Sequence, residues 1–235
     1  MVSPDIVKKG YSMKKALVVG GTSGLGYEVA SLLQARKYDT FVTGRKISNS
    51  IKRSAFIPLD LSRPDYVSEI NNAVMRIAPI DVLVYAAGFR QRGPLRELTR
   101  QNIEAMTQVG LVAPAMFLRM LLQVQRSLPM FVAVTSTSEW TPRADEPMYC
   151  AAKAGLGMFA ECVSLDESIG KTLTVGVSGM NTPFWENSGQ NVDSYLDPAW
   201  VAAQVLESLQ DEYKYRFVKI LRDPKRVEVA KERII

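Results

Sequence analysis

The chain has no histidine among its 235 residues. That excludes Ser-His-Asp and Cys-His nucleophilic catalysis, and it removes imidazole as a metal ligand. Cysteine is nearly absent too. Cys150 and Cys162 are the only two, and no Cys-x-x-Cys pair exists, so a structural zinc is not expected. Placed on one helix, these two thiols stand ~18 Å apart, beyond disulfide reach. Both are expected to be buried and reduced. No apolar run reaches the length needed to cross a bilayer. The N-terminus lacks the apolar core of a signal peptide, so a cytoplasmic location is expected. Charge is not concentrated either. The net charge is +5, with small clusters at Lys14-Lys15 and in the tail at Lys225, Arg226, Lys231 and Arg233. Glu228 and Glu232 interrupt that tail, which reads as a solvated helix face. Neither nucleic acid nor membrane is expected as a partner. Acid–base chemistry is left to Tyr, Lys, Cys, Asp or Glu.

The composition is that of an ordinary globular chain, 47% apolar and 23% charged, long enough for one domain with a sizeable core. Residues 1–13 read as an N-terminal extension and a candidate for disorder, and residues 14–235 as a single domain. Within it, short apolar runs alternate with periodic helical stretches. Ala16–Val19 leads into Gly20-Gly-Thr-Ser-Gly-Leu-Gly26 and then a helix. Glycines at 20, 24 and 26 permit a tight turn and let a pyrophosphate approach backbone N–H groups at a helix N-terminus. Further strands are predicted at 40–43, 55–59, 81–85, 131–135, 172–177 and 217–221. A long helix over 99–125 carries Gly110 and Pro114, which together predict a kink. This alternation specifies an α/β fold, a doubly wound, Rossmann-like three-layer sandwich. Its sheet is mostly parallel and about seven-stranded.

Two clusters carry chemistry. After the second strand come Arg45 and Lys46, where a site for NAD would place an acidic residue on the ribose. Two cations there suit a 2′-phosphate instead. The second cluster is Ser136, at the end of the fifth strand, with Tyr149 and Lys153 on the following helix. A four-residue step stacks Tyr149 and Lys153 on one helix face. An ammonium near the phenol favours phenolate, and moving a tyrosine from ~10 towards neutrality needs roughly 4 kcal/mol. Tyr-x-x-x-Lys alone is often only a solvated pair, so the context matters.

Taken together these residues resemble the short-chain dehydrogenase/reductase family, in its single-domain branch, over residues 14–221. The resemblance rests on Gly20-x-x-x-Gly24-x-Gly26, Asp60-Leu61, the strand end Ala86-Ala87-Gly88, the Ser136/Tyr149/Lys153 set and Thr182. It implies an enzyme that transfers a hydride between a nicotinamide and a carbonyl or alcohol. Tyr149 would be general acid/base, Ser136 would hold the substrate oxygen, and Lys153 would bind the ribose and lower the tyrosine pKa. It implies cofactor contacts from Gly20, Thr22, Ser23, Gly24, Leu25, Gly26, Arg45, Lys46, Asp60, Leu61, Ala86, Ala87, Gly88, Tyr149, Lys153 and Thr182. NADP(H) is the preferred form and NAD(H) the lesser one. It also implies a homodimer or homotetramer. The substrate would lie against the loop at 183–196, where Phe184, Trp185 and Tyr195 offer an aromatic wall, with Arg90 and Arg92 within reach of an anionic group.

Three departures from the family pattern stand around the cofactor. Val19 replaces a threonine that ties down the glycine turn, Tyr85-Ala86 replaces an Asn-Asn pair, and Gly110 replaces the catalytic asparagine. A glycine keeps the backbone carbonyl that would hold a relay water, so Gly110→Asn is expected to change turnover only modestly. The same losses support a rival reading, a nucleotide-binding sensor or scaffold with vestigial chemistry.

Overall fold

The computed structural model describes residues 13–47, 55–90, 92–186 and 188–235. Residues 1–12 of the expected extension lie outside them. Eight strands form one sheet: β1 (Lys15–Val19), β2 (Asp39–Gly44), β3 (Ala55–Pro58), β4 (Val82–Tyr85), β5 (Leu128–Ser136), β6 (Ile169–Val177), β7 (Tyr215–Arg222) and β8 (Lys225–Arg233). Their order is β3-β2-β1-β4-β5-β6-β7-β8, parallel from β3 to β7. The near-continuous apolar runs of β1 and β4 follow from this, because both faces of a parallel sheet are covered. Leu17, Val19, Leu83, Tyr85 and Phe131 face one helical layer. Ala16, Val18, Val84 and Val132 face the other.

The second layer holds α1 (Gly24–Ala35) and α6 (Pro198–Ser208). The first holds α2 (Tyr66–Ile77), α3 (Arg100–Thr107), α4 (Ala113–Gln125) and α5 (Pro147–Val163). The chain leaves β1 towards β2 on one side and returns to β4 on the other. The crevice at that reversal, beyond the carboxyl ends of the strands, is where such sheets place ligands.

The predicted kink is a wide helical turn at Gln108–Val112, set between α3 and α4. Pro114 sits in the first turn of α4, where its missing N–H costs little. Three expectations need correction. The tail is not a helix: β8 pairs antiparallel with β7 and makes the eighth strand. Cross-strand pairing settles it, because Val229 lies opposite Val218 and Val227 opposite Ile220. Arg216 Nε also bonds Glu232 Oε1 at 2.5 Å. Both cysteines do lie on α5, but only Cys150 is half-buried and Cys162 is exposed. Lastly, the stretch Arg100–Gln125 is long and apolar enough, by length and composition, to span a membrane. Half of its apolar window is buried in the domain, with Phe117 and Leu121 in the core.

Candidate active site

The turn after β1 is fixed by its neighbours. Gly20 has φ +80° and lies so close to Ala87 that a Cβ would stand 2.7 Å from its Cα. A side chain there would be strained and would collide with the β4 end. The backbone N–H groups of Gly20 and Gly21 both donate to the Thr43 carbonyl at 3.1 Å. The turn is therefore tied to β2, while Val19 fills the core. Backbone bonds to Thr43 thus tie the turn without the threonine that Val19 replaces.

Tyr85 does not leave a gap either. Its ring is fully buried against Phe117, and its hydroxyl donates to the Val109 carbonyl at 2.5 Å. That bond fastens β4 to the wide turn between α3 and α4. From the same turn Gln108 Nε2 donates to the Leu61 and Arg63 carbonyls. Gly110 completes the join, because a Cβ there would stand 2.6 Å from Ala152 Cβ on α5. Ala152 lies between Tyr149 and Lys153, so this contact sets the seat of α5.

A cavity of about 850 Å³ runs along the strand ends. Gly20, Thr22, Ser23, Gly24, Leu25, Gly26, Arg45, Asp60, Leu61, Ala86, Ala87, Gly88, Ser136, Tyr149, Lys153 and Thr182 line it. Lys46 is exposed and does not. Asp60 Oδ1 accepts from the Ser62 N–H at 3.0 Å and from its hydroxyl at 2.6 Å. Phe184, Trp185 and Tyr195 line the cavity as a contiguous aromatic wall. Ring centroids lie 5.9 Å apart for Tyr149–Phe184, 5.4 Å for Phe184–Trp185 and 5.2 Å for Trp185–Tyr195. Arg90 lines it as well, but Arg92 pairs with Asp145 at 3.5 Å on the exterior.

The Ser136 hydroxyl accepts from the Ser138 N–H at 3.2 Å and hydrogen-bonds the Tyr149 phenol. Lys153 is 6% exposed and its ammonium donates to the Val134 carbonyl at 2.9 Å. Burial pulls the Lys153 pKa down to about 8. Burial also pushes the Tyr149 phenol up to about 12, against the opposing Ser136 hydrogen bond. The expected lowering counted a cationic nicotinamide ring together with Lys153, and the charge of Lys153 does not by itself produce it. Its nitrogen stands 5.7 Å from the Tyr149 ring centroid, and desolvation outweighs it. The protein by itself holds the Tyr149 phenol in its neutral form.

Two side chains were not anticipated. Arg143 donates to Ser138 Oγ at 3.1 Å and to Thr137 Oγ1 at 2.8 Å, bracing the turn after Ser136. Glu139, three residues after Ser136, is held in the α5 layer. Its carboxylate accepts from Thr135 Oγ1 at 2.5 Å and fills a notch at Gly157, where a Cβ would stand 2.2 Å from its Oε1. Gly157 is one turn beyond Lys153 on α5. Burial raises the Glu139 pKa, opposed by the Thr135 bond and by the charges of Lys153 and Lys219. In return the carboxylate favours the Lys153 ammonium. The sequence signal was a glycine at 157 paired with an acid near Ser136, visible only once the two segments are packed.

Glu139→Gln removes that support and keeps an acceptor for Thr135. Any step that needs charged Lys153 is lost as pH rises through about 8. In the variant that loss is expected about one pH unit lower. The pH dependence of dinucleotide affinity, measured from pH 6 to 10, checks this; an unshifted midpoint would remove Glu139 from the site's electrostatics.

A model of the short chain dehydrogenase family matches residues 14–192. Among curated relatives, the 2,3-dihydro-2,3-dihydroxybenzoate dehydrogenase of Bacillus subtilis is 26% identical over 67% of this chain and 66% of its own. The 2-dehydro-3-deoxy-D-gluconate 5-dehydrogenase of Formosa agariphila is 26% identical over 63% of this chain and 61% of its own. The chain spans 58–66% of the length of the first such relatives. Among solved structures, a short-chain dehydrogenase from Streptomyces avermitilis superposes with TM-score 0.78 at 24% identity, covering 91% of this chain and 90% of that one. A short-chain dehydrogenase/reductase from Vibrio parahaemolyticus gives 0.73 at 26% identity, covering 87% and 96%. A third, from Sphingobium yanoikuyae, was solved in complex with NADPH; it gives 0.75 at 20% identity, covering 84% of each chain. The glycine turn, the Ser136–Tyr149–Lys153 cluster and the family match agree: this chain belongs to the short-chain dehydrogenases.

Proposed function

We propose that the protein is an NAD(P)-dependent oxidoreductase, NADPH-preferring, that interconverts a carbonyl and an alcohol. The observation that carries this is the Ser136–Tyr149–Lys153 cluster in the same cavity as the glycine turn and the N-terminus of α1. The residues present fit a dinucleotide. The turn and α1 offer backbone N–H groups to a pyrophosphate, and no acidic residue takes the place of Arg45 after β2. Arg45 is exposed at the cavity rim and close enough to Asp60 to interact with its charge. When bound, the dinucleotide supplies or accepts the hydride.

In the reductive direction Tyr149 would donate its proton to the substrate oxygen. Ser136 would hold that oxygen, and the buried Lys153, whose ammonium lies near Gly88, would hold the ribose of a bound dinucleotide. The chain's task is chiefly to position and polarise. The sensor reading rested on Val19, Tyr85 and Gly110. Each is accommodated by a contact that braces the site: Thr43 for the turn, Val109 for Tyr85 and Ala152 for Gly110.

The test is a titration with NADPH and NADH, followed by quenching of tryptophan fluorescence. NADPH is expected to bind about tenfold or more tightly than NADH, because a charge-assisted bond contributes about 1.5–3 kcal/mol. Arg45→Ala should abolish most of that preference. Equal affinities in the native chain would remove the 2′-phosphate argument, and binding of neither would remove the enzyme reading.

A further inference from the structure

We propose that Arg90 is an anion-recognising residue of the substrate site, so that the substrate is a carbonyl compound carrying a carboxylate. This rests on the oxidoreductase reading and narrows it. Arg90 follows β4 by five residues and lines the catalytic cavity. Its guanidinium lies over the Trp185 ring, 5.3 Å from the centroid. Its Nε is buried and has no hydrogen-bond partner.

The neighbouring arginines are engaged otherwise. Arg143 bonds Thr137 and Ser138 and pairs with Glu146 at 3.7 Å. Arg92 pairs with Asp145. Arg222 stacks on Tyr195 at 4.5 Å. Among the described residues no carboxylate lies within ion-pair distance of Arg90.

A buried N–H without a partner is costly, because its lost hydration is not replaced. A native site tolerates that cost where a ligand supplies the acceptor. The edge that holds Nε and one terminal nitrogen presents two parallel N–H donors, which match the two oxygens of a carboxylate. Stacking on Trp185 fixes the plane of the fork. Trp185 joins through Phe184 to Tyr149. The carboxylate and the reacting carbonyl would therefore sit at two ends of one aromatic wall, with the substrate's apolar part between them.

The experiment uses the full chain saturated with NADPH. Oxo acids are compared with their methyl esters: 4-acetylbenzoate and 3-(4-acetylphenyl)propionate, which place an apolar ring between carbonyl and carboxylate and differ in the spacing of the two. At least one acid is expected to exceed its ester in kcat/KM by tenfold or more, with the advantage lost in Arg90→Met and partly restored in Arg90→Lys. Binding of the same acids to the NADP⁺ complex, followed by tryptophan fluorescence, gives a second readout that does not need turnover. If Arg90→Met does not fold, Arg90→Lys and the salt sensitivity of the acid preference in the native chain decide instead. Esters bound and reduced as well as acids at both spacings, or an acid preference that survives in the Arg90 variants, would overturn the assignment while leaving the oxidoreductase reading standing. Failure to bind NADPH at all would overturn both.

Discussion

Tyr149→Phe is expected to lower carbonyl reduction by roughly a thousandfold, with NADPH affinity changed by less than about threefold. The phenol is the acid nearest to Ser136 in the cavity, and its pKa of about 12 keeps it protonated at neutral pH. Without it the developing alkoxide has no proton source in hydrogen-bond reach, since Ser136 is a far weaker acid and Lys153 is turned to the Val134 carbonyl. The ring itself stays, so the contact with Phe184 is kept. Steady-state kinetics beside a dinucleotide titration separate chemistry from binding. A variant within tenfold of the native rate would show that another group delivers the proton, and Tyr149 would lose its assigned role.

Gly110→Asn is expected to be damaging, which reverses the modest effect that the family pattern suggests. An added Cβ would stand 2.6 Å from Ala152 Cβ, before the rest of the asparagine is placed. Overpacking of this kind costs about 1–3 kcal/mol. Replacing a helix glycine returns only about 0.5–1 kcal/mol. The net loss should lower Tm by several degrees, at about 2–4 °C per kcal/mol for a domain of this size. The disturbed residue lies between Tyr149 and Lys153, so turnover should fall as well. A thermal melt and kcat measured on one preparation test both parts. An unchanged Tm would mean that α5 can move away freely. A large gain in kcat would mean that the native relay is crippled.

That Ser136, Tyr149 and Lys153 share one cavity was legible because their spacing is local. Ser136 ends a strand, Tyr149 and Lys153 share one helix face, and the glycine turn lies between a buried strand and a helix. Strand–helix alternation likewise dictates the parallel sheet and its ligand-binding edge. The break in the long helix was legible from Gly110 and Pro114.

What escaped the sequence depends on segments meeting across the fold. Tyr85 reads as a lost asparagine until its hydroxyl meets Val109, twenty-four residues on. Gly110 reads as a missing side chain until Ala152 is packed against it. The tail reads equally as a helix until β7 offers it a ladder of partners. The Tyr149 phenol follows the same rule. The sequence places a lysine beside the phenol and counts its charge, but only the folded cavity sets how much water is removed from both, and here desolvation wins. Sequence by itself determined which residues could do chemistry and the order in which the chain delivers them. The tertiary structure decided which departures are compensated, that the Arg90 Nε is buried without a hydrogen-bond partner, and the protonation state in which the site waits, because burial and close contact belong to the packed chain and not to its local pattern.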